Sequence, residues 1–119
     1  MEKVKEQLQA AVKAADLKRA EDIVVLDLEN ISLLADYFMI CHGTNTRQVE
    51  AIANEIIEKV EEQGGVLNRI EGMDTARWIL IDFGDLVIHV FMEEEREFYQ
   101  LEKLWADAPM LDLSAWVTD

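Results

Sequence analysis

Trp78-Ile79-Leu80-Ile81-Asp82-Phe83-Gly84-Asp85-Leu86-Val87-Ile88-His89-Val90-Phe91 reads as two strands joined by a two-residue turn. Gly84-Asp85 suits a hairpin turn whose first position needs φ > 0, which glycine adopts without strain. The turn sets the register: Phe83 opposite Leu86, Asp82 opposite Val87, Leu80 opposite His89, Trp78 opposite Phe91. Side chains alternate across a strand, so Ile79, Ile81, Phe83, Leu86, Ile88 and Val90 share one face, which reads as core. The other face carries Trp78, Leu80, Asp82, Val87, His89 and Phe91. It is large and apolar, with one acid and one imidazole embedded. A solvated sheet face would be polar there. Another part of the chain covers it, or a partner does.

Outward from the hairpin, the remaining elements follow from periodicity. Val4, Leu8, Ala11, Val12 and Ala15 recur at helical spacing and predict a helix over about residues 2–18. Ile23 to Leu28 is short and β-branched, a strand, and Ile31 to Ala35 is a tight connection. Tyr37 to His42, apolar on both faces, predicts a central strand. Gly43 ends it, and Thr44, Asn45 and Thr46 all offer N-cap chemistry to a helix over about residues 46–63, whose stripe is Val49, Ile52, Ala53, Ile56, Ile57 and Val60. Gly64-Gly65 stops that helix. Val66 to Ile70 predicts a weaker edge strand. Glu93 to Trp105 predicts a last helix with acids at its N-terminus, where the dipole favours them. Pro109 closes the ordered part and leaves residues 110–119 as a loosely packed tail.

This order predicts an α/β domain over residues 1–108, built on a single mixed sheet of about five strands, followed by a tail over residues 109–119. Three helices cannot cover both faces of such a sheet. They should lie mainly on one, and the hairpin names the side chains on the other.

With 119 residues, half of them hydrophobic, the chain suits one domain with a substantial core. A net charge of −14 repels phosphate backbones and steers the domain towards basic surfaces, basic proteins among them. Solubility alone is the plainer account of the same charge. A single cysteine, Cys41, excludes an internal disulfide and suits a reducing compartment. No apolar run of membrane-spanning length appears, and Met1 to Glu6 lacks a secretory core. The expectation is a soluble cytoplasmic protein.

The chemistry-bearing residues are few. His89 and Asp82 are diagonal neighbours on the open hairpin face, without a nucleophile or further metal donors at suitable spacing. His42 reads as a strand-end residue and Cys41 as an inert buried thiol. Gly43-Thr44 before a helix has the form of a phosphate-holding turn. Nucleotidyl transfer also needs an acid-x-acid pair on a neighbouring strand. Val66 to Ile70 has none, and Asp27-Leu28-Glu29 precedes the turn instead. An enzyme using Gly43-Thr44 for phosphate and Asp27, Glu29 or Asp82 for magnesium is therefore the alternative reading. The favoured one is a binding protein with no cofactor and no metal. Trp78, Leu80 and Phe91 are its anchors, because contiguous exposed apolar surface marks an interface. Asp82, Asp85 and Glu102 would meet basic side chains, His89 would position neighbours or donate, and Arg96 and Tyr99 would extend the surface. A second copy of the chain could also cover the face.

Several blocks together resemble the ribosomal silencing factor (Iojap-related) family: Ile23 to Leu28, Ala35 to Ile40, Gly43 to Ala53, Glu71-Gly72, Trp78 to Asp85, Val87 to Phe91 and Arg96 to Trp105. Cys41-His42 stands where small residues are usual in that family, Phe83 where Tyr is common, and the residues after Ala108 lie outside the pattern. The resemblance implies a nucleotidyltransferase-like fold without the catalytic carboxylates. It also implies binding to ribosomal protein fourteen of the large subunit, little direct nucleic-acid contact, a block on subunit joining when nutrients are short, and frequent homodimers. The missing carboxylate pair, the negative charge and the apolar sheet face agree with it.

Overall fold

The computed structural model describes residues 2–117 and orders them as α1 (Glu2–Leu17), β1 (Glu21–Asp27), β2 (Tyr37–Gly43), α2 (Thr46–Glu62), β3 (Arg69–Glu71), β4 (Trp78–Asp82), β5 (Leu86–Met92), α3 (Glu93–Tyr99) and α4 (Leu101–Leu104). The strands form one mixed sheet in the order β1-β2-β5-β4-β3. β2 runs parallel to β5, and every other neighbouring pair is antiparallel. β3 therefore points the same way as β2, and α2 carries the chain across β5 and β4 between them. A parallel pair cannot be joined by a tight turn, so the helix is the connection.

The hairpin register is the one its turn dictates. Trp78 pairs with Phe91, Leu80 with His89 and Asp82 with Val87. Gly84 sits at φ +89°, and the Phe83 amide donates to the Leu86 carbonyl at 2.9 Å. The Asp82 side chain adds a lock on the turn, its Oδ1 accepting from the Gly84 amide at 2.7 Å.

α1 and α2 pack on the expected core face. Leu8, Val12, Ile52, Ile56, Ile79, Ile81, Leu86 and Ile88 are all sealed from solvent there. At the start of α2 the Asn45 side chain accepts the Gln48 amide at 2.8 Å, a cap that contributes about 1 kcal/mol. Gln48 then ties the two helices together. Its Nε2 donates to the carbonyls of Lys18 and Arg19 at 3.2 and 3.0 Å.

Three expectations need correction. The edge strand is Arg69–Glu71 rather than Val66 to Ile70, because only Arg69, Ile70 and Glu71 find ladder partners on β4. The last helix is broken at Gln100, which adopts a left-handed φ of 47°. That break splits the apolar stripe read for it: Leu101 and Trp105 pack inward, while Phe98 and Leu104 are exposed. Residues 109–117 are not loosely packed; the rest of the expected tail lies outside the described residues. Met110 bridges Leu26, the Asp27 amide donates to the Pro109 carbonyl at 2.8 Å and the Leu111 amide to the Val25 carbonyl at 3.0 Å. Leu111, Leu113, Trp116 and Val117 then pack against the main core. The second sheet face is partly bare, as the three expected helices over five strands imply. Leu101, Trp105 and Ala108 form a small core over it with Leu26, Phe38, Ile40 and Phe91.

Candidate docking face

The half that stays accessible lies over β4 and β3. Trp78, Leu80, Asp82 and, on β5, Val87 are half-buried, with Arg69 and Glu71 exposed beside them. An aromatic run leads outward across it. Phe91 is fully buried, and Trp78 lies 4.9 Å from it between ring centres. Tyr99, 47% exposed, packs on Trp78 at 4.6 Å with the rings tilted 47° to each other, and Phe98, 80% exposed, meets Tyr99 edge-on at 5.0 Å. Tyr99 and Phe98 come from α3, so the helix start after β5 places them above the strand that carries Trp78. The pairing gives α3 an aromatic contact that both orients Trp78 and enlarges the apolar patch.

His89 lies beneath this run and is 5% exposed. Its Nδ1 accepts the indole N–H of Trp78 at 3.1 Å. An indole only donates, so Nδ1 carries no proton, and in the neutral ring Nε2 bears it. That Nε2 is buried and has no partner among the described residues. Burial also pushes the ring down to a pKa of about 4. The sign of the pH effect follows. The unfolded chain protonates near pH 6.5 and the folded one near 4, so this ring's contribution is complete above 6.5 and is lost as pH falls from 6.5 to 4. The expected slope is at most about 1.4 kcal/mol per pH unit in that window. Urea unfolding of the wild type and His89→Phe at pH 7, 6 and 5 measures it. The variant should lose less stability than the wild type, and parallel losses would exclude His89 as the cause.

Two of the expected contact residues are instead bound to each other. Arg96 is 8% exposed, and its Nε and Nη2 donate to the same Glu102 oxygen at 3.0 and 2.7 Å. Its Nη1 reaches His42 Nδ1 at 3.0 Å and the Glu21 carbonyl at 3.3 Å. A guanidinium cannot accept, so His42 Nδ1 is the acceptor and its Nε2–H faces Glu21 Oε1, 3.3 Å away. The break at Gln100 makes this possible. In an unbroken helix residues six apart point about 120° away from each other, and Glu102 could not fold back onto Arg96. His42 thus joins β1, β2, α3 and α4, a role its strand-end position did not suggest.

The expected contact residues therefore separate. Trp78, Leu80 and Tyr99 are together and accessible. Phe91 is fully buried, and the donors of Arg96 are taken up by Glu102, His42 and the Glu21 carbonyl. Asp82 holds the turn, and Glu102, half-buried, holds Arg96. Asp85 is exposed at the turn, where its carbonyl accepts the amides of Asp36 and Tyr37. The sequence reading missed Phe98, because it assumed an unbroken helix. It also missed Ile31, Leu33 and Leu34, which are exposed at the turn end of the sheet.

The pieces of a phosphate-transfer site do not assemble. Asp27 is level with Tyr37 and Asp82 with Phe38, while Gly43-Thr44 is at the other end of β2, about 20 Å away at strand spacing. Asp27 and Asp82 are themselves three strands apart, about 14 Å. Gln48 Oε1 already accepts the Thr44 amide at 2.8 Å. Among the described residues no cluster of His, Cys, Asp and Glu is arranged to hold a metal, and no helix is long and apolar enough to cross a membrane. Cys41 is sealed in β2, where burial pushes its thiol up to about 12.

Fold and site define an α/β domain that offers a half-covered aromatic sheet face. Comparison with known proteins gives that class a family. A model described as "Ribosomal silencing factor during starvation" matches residues 1–119, and the chain belongs to this family. It is 57% identical over 106 residues to the ribosomal silencing factor of Bacillus subtilis (strain 168), covering 89% of this chain and 90% of that one. The ribosomal silencing factor of Halalkalibacterium halodurans is 51% identical over 113 residues, covering 95% and 97%. A crystal structure from Bacillus halodurans superposes with a TM-score of 0.81 at 50% identity, covering 92% of this chain and 99% of that one. The family match includes the residues after Ala108, which the sequence reading had placed outside the pattern.

Proposed function

We propose that this chain binds ribosomal protein fourteen of the large ribosomal subunit through the Trp78, Leu80 and Tyr99 face, and so blocks association with the small subunit and lowers translation when nutrients are short. Membership of a silencing-factor family supports the regulatory role, and the family resemblance supplies the partner. The observation that carries the surface is the aromatic run from buried Phe91 through Trp78 to exposed Tyr99 and Phe98. Large aromatics that are half-desolvated in the free protein are the side chains that anchor interfaces. The net charge of −14 supports a basic protein partner and little direct nucleic-acid contact. The same reading makes the protein a cytoplasmic non-enzyme, and a homodimer through the accessible strip would be a competing use of this surface.

Sedimentation with separated subunits at several salt concentrations tests the partner. The expected result is co-migration with the large subunit alone, weakening as salt rises. Trp78→Ala should weaken that binding about thirtyfold, the effect of removing an anchor worth about 2 kcal/mol, with the fold retained. Equal affinity for both subunits would sink the proposal. Heat from a magnesium-ATP titration would revive the enzyme reading.

A further inference from the structure

His89 Nε2 is a buried donor that finds no hydrogen-bond acceptor among the described residues. Such a donor costs stability, and an apolar ring of the same shape would be cheaper to bury. The imidazole's other nitrogen is engaged by Trp78, the half-exposed centre of the aromatic run, so the ring orientation is fixed from the docking side. Phe38 meets the His89 ring edge-on at 5.1 Å, and Trp105 meets Phe38 at 5.5 Å. The cover over this part of the sheet is thus the segment from Leu101 to Trp105. Within it, α4 is a four-residue helix with no buried residue, entered through the left-handed Gln100 and followed by Trp105.

We propose that His89 Nε2–H is a recognition donor, accepted by a main-chain carbonyl of the docking protein once the Leu101–Trp105 segment shifts aside. This rests on the docking face proposed above. A carbonyl fits better than a carboxylate or phosphate for two reasons. The ring is neutral at physiological pH and so offers a dipole rather than a charge. On the same sheet face stand Glu71, level with Leu80 and His89, and Asp82; both would repel an anionic acceptor, and the neighbouring cation, Arg69, is already paired with them. Docking would then relieve the unpaired donor, so the group that weakens the free fold strengthens the complex.

The test is co-sedimentation with purified large subunits, alongside urea unfolding, for His89→Phe, His89→Gln and Leu80→Arg. His89→Phe should bind about tenfold more weakly while still unfolding cooperatively at pH 7, its stability lowered at most by the acceptor that the Trp78 indole N–H loses. His89→Gln, whose amide nitrogen replaces the Nε2 donor, should retain most of the binding. Wild-type binding by His89→Phe overturns the proposal. So does equal loss in His89→Phe and His89→Gln, because the ring would then matter for packing alone. If His89→Phe does not fold, His89→Leu takes its place with the same criteria. Leu80→Arg separates the two levels. Loss of binding there with none in His89→Phe removes only the donor, whereas wild-type binding by both removes the docking face as well.

Discussion

Replacing Gly72 with alanine is expected to destabilise the domain by about 3 kcal/mol or more. Gly72 sits at φ +89° between β3 and β4, and an added Cβ would lie 2.1 Å from the Trp78 carbonyl oxygen and 3.1 Å from its carbon. Those are backbone atoms of the strand that carries the docking face, so no rotamer change relieves the clash. Gly84 is the internal control. It has the same φ of +89°, but its Cβ would meet only the Asn68 side-chain amide, at 3.3 Å. Gly84→Ala should cost only the conformational part, about 1 kcal/mol. Urea unfolding of the two variants distinguishes a positive φ from a positive φ against a neighbouring strand. Equal losses would show that β4 can move away from Gly72. In a domain whose net stability is about 5–15 kcal/mol, the larger loss is a large fraction of the whole.

Arg96→Ala should cost about 3–5 kcal/mol, the consequence of removing one partner from a buried charge network. The loss leaves Glu102, His42 Nδ1 and the Glu21 carbonyl without their shared donor, across four elements. Arg96→Lys should recover little, because an ammonium cannot span the fork that reaches Glu102 on one side and His42 on the other. Lys59→Ala provides the exposed comparison. Lys59 pairs with Glu55 and Glu62 on the surface of α2 and should change stability by less than about 1 kcal/mol. Thermal or urea unfolding of the three variants decides the matter, and an Arg96→Ala cost no larger than that of Lys59→Ala would show that the network is structurally idle.

The hairpin was legible in the sequence because everything that sets it is local. A glycine in the turn and a period of two fix the register, and the observed pairs follow. The stripe of α2 and its Asn45 cap are local in the same sense. The last helix was misread for a physical reason. Nothing near Gln100 breaks a helix by propensity, and the left-handed turn there is held by Arg96 reaching Glu102, His42 and Glu21, partners up to 75 positions away. The same long-range closure hides Phe91 and His89, which alternation alone placed on an open face. Alternation tells which face a side chain takes, but not what later lies over it. Trp78, Leu80 and Tyr99 were legible as surface residues because, among the described residues, the two long helices both pack on the other face of the sheet.

The pairing of Met110 with Leu26 has one more consequence. It occupies the β1 edge from Val25 to Asp27, and the rest of β1 is irregular, with a register shift between Glu21 and Val24. The opposite edge, β3, is three residues long and carries Arg69 and Glu71. Neither border offers the straight row of unpaired amides and carbonyls that a strand from another molecule would need. This protein is therefore poorly built to extend its sheet into a neighbour or to grow into a fibre. A partner that docks on this sheet would be met by side chains on its flat rather than by main chain at an edge.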